Sequence, residues 1–142
     1  GIELDNPGDR PFAEPQLRAL ERLLGALLAE RAIPPERVIG HSDMAPARKG
    51  DPGPFFPWSR LAAVGLSVWP TVRPAPRPPV EATPERMARL VAALTDFGYR
   101  GSQALVLFDA FRQRFRPDAG AFDAADVEIA EELARRWPVR PD

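Results

Sequence analysis

With 142 residues, 44% of them hydrophobic, the chain has enough apolar material for one ordinary domain or two small ones. A formal net charge of -1 argues against the strong attraction that nucleic acid or an anionic membrane surface would need. The absence of cysteine excludes disulfides and thiolate metal sites, and no apolar run reaches the roughly 18 residues of a membrane-spanning helix.

In chain order, Ile2 and Leu4 alternate with Glu3 and Asp5, which predicts a short strand stopped by the turn residues Asn6, Pro7, Gly8 and Asp9. The opening residues carry no initiator methionine and no leader-like pattern, so the chain reads as a fragment whose true amino terminus lies upstream. From Pro15 to about Arg31, the positions of Leu17, Leu20, Leu24, Leu27 and Leu28 predict an amphipathic helix. Pro34 and Pro35 prevent its continuation, and Val38, Ile39 and Gly40 predict a brief buried strand ending at His41. Between Ser42 and Pro57 the chain is rich in Pro, Gly, Asp and Ala with no period, and a long irregular loop is expected. A short helix follows over Trp58 to Val64.

The prolines between Pro70 and Pro84 predict an extended, semi-rigid linker and mark the best domain boundary. Three helical patterns come after it. The first has Thr83 as N-cap, Pro84 at its first position, Met87, Leu90, Val91, Leu94 and Phe97 on one stripe, and Gly98 at its end. The second runs from Ser102 to about Phe115 with Leu105, Phe108, Phe111 and Phe115 inward. The third has Asp123 as N-cap, a hydrophobic staple from Phe122 to Val127, then Ala130, Leu133 and Trp137.

The chain's single histidine, His41, and single lysine, Lys49, both fall in the irregular loop together with Asp51. A neutral imidazole nitrogen and a carboxylate oxygen are both zinc ligands, and a catalytic zinc site uses three protein ligands and a water. Each residue alone has an ordinary structural explanation. His41 suits a hydrogen-bonded strand end, Lys49 a solvated surface, Asp51 a turn before Pro52, and Glu3 a solvated strand position.

Taken together, His41, Lys49 and Asp51, followed by Pro52, Gly53, Pro54, Phe55, Phe56, Pro57 and Trp58, resemble the last metal-binding loop of the type 2 zinc amidases. These are the N-acetylmuramoyl-L-alanine amidases of the bacteriophage-lysozyme and AmpD/AmiD type. The resemblance implies Zn2+ held by His41 and Asp51, Glu3 as general base or acid on the zinc-bound water, and Lys49 stabilising the oxyanion. It also implies a peptidoglycan or muropeptide substrate, cleaved between N-acetylmuramic acid and L-alanine. The family's first zinc ligand is a histidine upstream of Glu3, which this sequence lacks, so residues 1–142 alone are expected to bind zinc weakly and hydrolyse little. Asp5 and Asp43 do not stand where the family places a ligand. Phe97, Gly98 and Tyr99, with the run from Ala110 to Pro117, resemble the three-helix peptidoglycan-binding-like module of AmiD-type enzymes.

The fold expected from the resemblance is an α/β mixed-sheet amidase domain, truncated, over residues 1–69. A linker over 70–83 and a three-helix bundle over 84–142 complete the expected organisation. The expected protein is a monomeric bacterial hydrolase of the cell envelope or periplasm, with no nucleic-acid partner; a cytoplasmic location is the alternative. The first rival function is a non-catalytic peptidoglycan-recognition module. The second is an iron site built on the same ligand types.

Overall fold

The computed structural model describes residues 1–101 and 103–139. Its architecture is helical: α1 Glu14–Arg31, α2 His41–Met44, α3 Trp58–Ala63, α4 Pro84–Phe97, α5 Ala104–Phe115 and α6 Ala124–Arg136, with a 3-10 turn at Pro35–Arg37. Among the described residues there is no strand, only an isolated antiparallel bridge between Pro79 and Asp123. The mixed-sheet expectation for residues 1–69 is therefore corrected. The reason lies in where main-chain groups find partners. The Asp5 carbonyl accepts from Gln16 Nε2 (3.1 Å), the Val38 carbonyl from Arg114 Nη2 (3.2 Å), and the Gly40 N–H donates to Asp43 Oδ2 (2.8 Å). Side chains take up groups that a neighbouring strand would otherwise pair. Ile39, expected to be buried, is 50% exposed.

Two hydrophobic clusters organise the chain. The first joins Leu17, Leu20 and Leu24 of α1 to Phe12, Phe56, Trp58 and Leu61. Arg60 of α3 fastens the two helices by ion pairs to Glu14 (2.5 Å) and Glu21 (2.6 Å) of α1. The second cluster is the bundle, where α4 packs chiefly on α6 and also on α5 around Leu90, Leu94, Leu107, Phe111, Phe115 and Leu133. Trp69 packs against both clusters.

The bundle helices begin as their local chemistry directs. Thr83 Oγ1 accepts from the Arg86 N–H and Pro84 opens α4, while Gly98 closes it at φ 129°. Asp123 caps α6, its Oδ1 accepting from the Ala125 N–H at 2.8 Å. In α5, Leu107 turns inward and Leu105 outward, 69% exposed. The expected start of that helix at Ser102 lies outside the described residues.

The proline-rich segment is anchored on the bundle through its main chain. Glu132 accepts from the Thr71 and Val72 N–H groups and from the Thr71 hydroxyl. Arg116 donates to the Pro74 and Ala75 carbonyls, and Asp123 accepts from the Arg77 N–H. Burial pushes the Glu132 carboxyl upward, but the Thr71, Val72 and Arg136 donors outweigh it and hold it at about 2.

Candidate metal-binding loop

The loop is built outward from Gly40. A Cβ at this position would meet Pro52 Cδ at 2.7 Å and Trp58 Cζ2 at 3.2 Å, so only glycine lets the start of α2 lie against the Asp51-Pro52 segment. The Ser42 N–H donates to the Asp51 carbonyl at 2.9 Å. That bond sets the main chain of residue 51 beside the first turn of α2 and brings the two side chains together. His41 Nδ1 lies 2.8 Å from Asp51 Oδ2. The Asp51-Pro52 peptide bond is cis. Phe56 and Trp58, with ring centroids 4.7 Å apart, root the far end of the loop in the first core.

Both candidate ligands are open to solvent, the His41 side chain by 42% and Asp51 by 62%. Partial burial pushes the Asp51 carboxyl upward, but the His41 hydrogen bond and the charges of His41 and Lys49 prevail and hold it below its ordinary value. A carboxylate that stays ionised is the form a metal requires. In a tetrahedral zinc site, a nitrogen and an oxygen at bonding distance sit about 3.3 Å apart. The observed 2.8 Å is a direct hydrogen bond between the same atoms, so a small opening of the pair would admit the ion. The donor set therefore fits zinc as two ligands. Among the described residues no cluster of three His, Cys, Asp or Glu side chains is present, so no third ligand joins them.

Lys49 is exposed on the same loop, its N–H donating to the Ala45 carbonyl at 3.0 Å. Glu3 is exposed near the amino terminus, and no hydrogen bond or ion pair joins it to His41, Lys49 or Asp51 among the described residues. The structure thus brings together His41 and Asp51, with Lys49 close enough to act on the aspartate's charge.

Sequence reasoning passed over Asp43. Its buried carboxylate receives the Tyr99 hydroxyl (2.6 Å), Arg114 Nη1 (2.7 Å) and the Gly40 N–H (2.8 Å). Burial first, then the Asp43 charge, drives the Tyr99 hydroxyl well above the ordinary tyrosine range, so it stays a donor. The only sequence signal for Asp43 was its place three residues after Gly40, the spacing of a residue that reaches back to the start of its own helix. Beside the loop, Met44–Arg48 and the residues Arg100, Gly101, Gln103, Val106 and Leu107 line a cleft of about 320 Å³.

Residues 1–54 match the family model described as N-acetylmuramoyl-L-alanine amidase. The chain is similar to N-acetylmuramoyl-L-alanine amidase AmiD of Escherichia coli (strain K12), at 36% identity over 96% of this chain and 57% of that protein. It is also similar to 1,6-anhydro-N-acetylmuramyl-L-alanine amidase AmpD of Enterobacter cloacae, at 39% identity over 45% of this chain and 34% of that protein. Among solved structures, the complex of AmiD from E. coli with anhydro-N-acetylmuramic acid-L-Ala-D-gamma-Glu-L-Lys superposes with a TM-score of 0.76 at 35% identity, covering 89% of this chain and 54% of that one. AmpDh3 from Pseudomonas aeruginosa in complex with anhydromuramic pentapeptide gives a TM-score of 0.72 at 28% identity, covering 96% and 59%. The chain thus spans little more than half the length of the relatives that match most of it.

Proposed function

We infer that this chain, whose first 54 residues match the family model described as N-acetylmuramoyl-L-alanine amidase, carries the metal loop of an enzyme that hydrolyses the amide bond between N-acetylmuramic acid and L-alanine. The observation that carries the reading is the pairing of His41 Nδ1 with Asp51 Oδ2 at 2.8 Å, inside the matched segment. The relatives supply the substrate class, because two similar solved structures hold anhydromuramyl peptides.

His41 and Asp51 would hold a zinc ion as two of its three protein ligands. Zinc, when bound, supplies Lewis acidity and lowers the pKa of its water to about 7. Lys49 presents an ammonium charge to the carbonyl oxygen as negative charge develops there. Glu3 accepts the proton released from the attacking water and returns one to the leaving amine. The cleft lined by Arg48 and Arg100 offers guanidinium groups to the carboxylates of a stem peptide.

The test is release of stem peptide from anhydromuramyl peptide by the full-length natural protein, with metal content measured in parallel. The expected outcome is zinc-dependent turnover that chelator stops, and loss of both zinc and turnover in His41→Ala and Asp51→Ala. Peptide binding without turnover in a zinc-free protein would instead identify a recognition module.

A further inference from the structure

The helical bundle reaches back to the metal loop at two points, one on each side of the ligand pair. Arg114 of α5 donates through Nη1 to Asp43 (2.7 Å) and through Nη2 to the Val38 carbonyl (3.2 Å) and Ser67 Oγ (3.2 Å). Its guanidinium also lies over Trp58, 4.1 Å from the ring centroid, and over Phe115 at 4.9 Å. One side chain thereby fixes the chain three residues before His41 and two residues after it. Tyr99, just beyond α4, donates to the second oxygen of Asp43. At the other end of the loop, Gln113 Nε2 donates to the Gly50 carbonyl at 2.6 Å, between Lys49 and Asp51.

We propose that Arg114, Tyr99 and Gln113 are positioning residues of the metal loop, so that the bundle sets the geometry in which His41 and Asp51 meet. The proposal rests on the zinc-amidase reading for its consequence in catalysis. Burial argues for it. Arg114 and Tyr99 are each 2% exposed, and Arg114 Nε has no hydrogen-bond partner among the described residues, a penalty that an apolar side chain of similar volume would avoid. An apolar side chain could not bind Val38 and Asp43 together. The three contacts span 56 to 76 residues of sequence, so the bundle cannot be removed without releasing both ends of the loop.

Tyr99→Phe and Gln113→Ala in the full-length natural protein test this, because each removes one hydrogen bond and neither leaves a buried charge unpaired. Thr71→Val is the control, removing the comparable Thr71 hydroxyl bond to Glu132 at 2.6 Å, which involves no residue of the loop. Zinc affinity, measured by competition with a chromogenic chelator, is expected to weaken on the order of 10-fold in the first two variants, as for other groups that orient metal ligands. It should stay at the wild-type value in the control, and kcat should fall by more than KM changes in Tyr99→Phe and Gln113→Ala only. Hydrogen exchange of residues 41–51 in the metal-free protein should quicken in the same two variants only. Wild-type zinc affinity with unchanged loop exchange in both variants would overturn the proposal, as would equal weakening in Thr71→Val. If the wild-type protein neither binds zinc nor cleaves muropeptides, the amidase reading fails, and the exchange measurement still decides whether the bundle holds the loop.

Discussion

Charge is treated in opposite ways by the bundle and by the loop it anchors. In the bundle, Arg116 is 1% exposed and grips Asp123 (2.7 Å) and Asp126 (2.5 Å), each of which also caps the start of α6. In the loop, His41 and Asp51 pair in the open. A sealed ion pair must be complete, because either partner left alone is an uncompensated buried charge. An exposed pair contributes little to stability and can exchange its hydrogen bond for a metal without that penalty. The difference teaches which residues hold the fold and which are available for chemistry.

Breaking the sealed network gives the largest expected effect. Arg116→Met would leave Asp123 buried without a cation, leave Asp126 with Arg112 alone, and release the Pro74 and Ala75 carbonyls, so denaturant unfolding should show a loss of about 3–5 kcal/mol. A loss below about 1 kcal/mol would show that water reaches these carboxylates and would remove the contrast with the loop.

Glu132 gives a smaller effect that depends on pH. Its folded value of about 2 lies below the ordinary 4.5, so its stabilisation is complete above 4.5 and disappears as pH falls from there toward 2. Over that window the carboxylate accounts for about 3 kcal/mol of the acid loss of stability. Glu132→Gln should be less stable by about 1–3 kcal/mol at neutral pH, with the gap from wild type closing as acid is added. Parallel curves from pH 7 to 2 would show that the Thr71 and Val72 donors do not discriminate between the two side chains.

The two regions also differ in how much of them the sequence disclosed. The limits of α4 were legible because Thr83, Pro84 and Gly98 act on main-chain groups within a few residues of themselves. The pairing partners His41 and Asp51 were legible only through the pattern of the whole loop, since neither residue alone points to metal. That residues 1–69 form no sheet among the described residues was not legible: alternation at Ile2 to Asp5 tells which side chains share a face, but carries no information about a neighbouring strand. In α5, helical spacing put Leu105 on the inward stripe, whereas packing buries Leu107 and leaves Leu105 69% exposed. The anchoring of Asp43 was hidden for a similar reason, since Tyr99 and Arg114 lie 56 and 71 residues away and only the fold makes them neighbours.

The smallest expected change in stability is at His41, and it is the sharpest test of the contrast. The imidazole is half in solvent and makes its side-chain hydrogen bond to an exposed carboxylate, so His41→Ala should shift stability by no more than about 0.5 kcal/mol. Asp51 would simply regain water. The bonds that shape the loop, from the Ser42 N–H to the Asp51 carbonyl and from the Gly40 N–H to the Asp43 carboxylate, do not involve the imidazole and should persist. The same substitution removes the only nitrogen ligand that the chain's side chains offer at this site, so zinc affinity should collapse while the unfolding curve overlays the wild type. A large stability loss in metal-free His41→Ala would mean that the pair is part of the fold's framework, and the loop would then lose its claim to be held open for a metal.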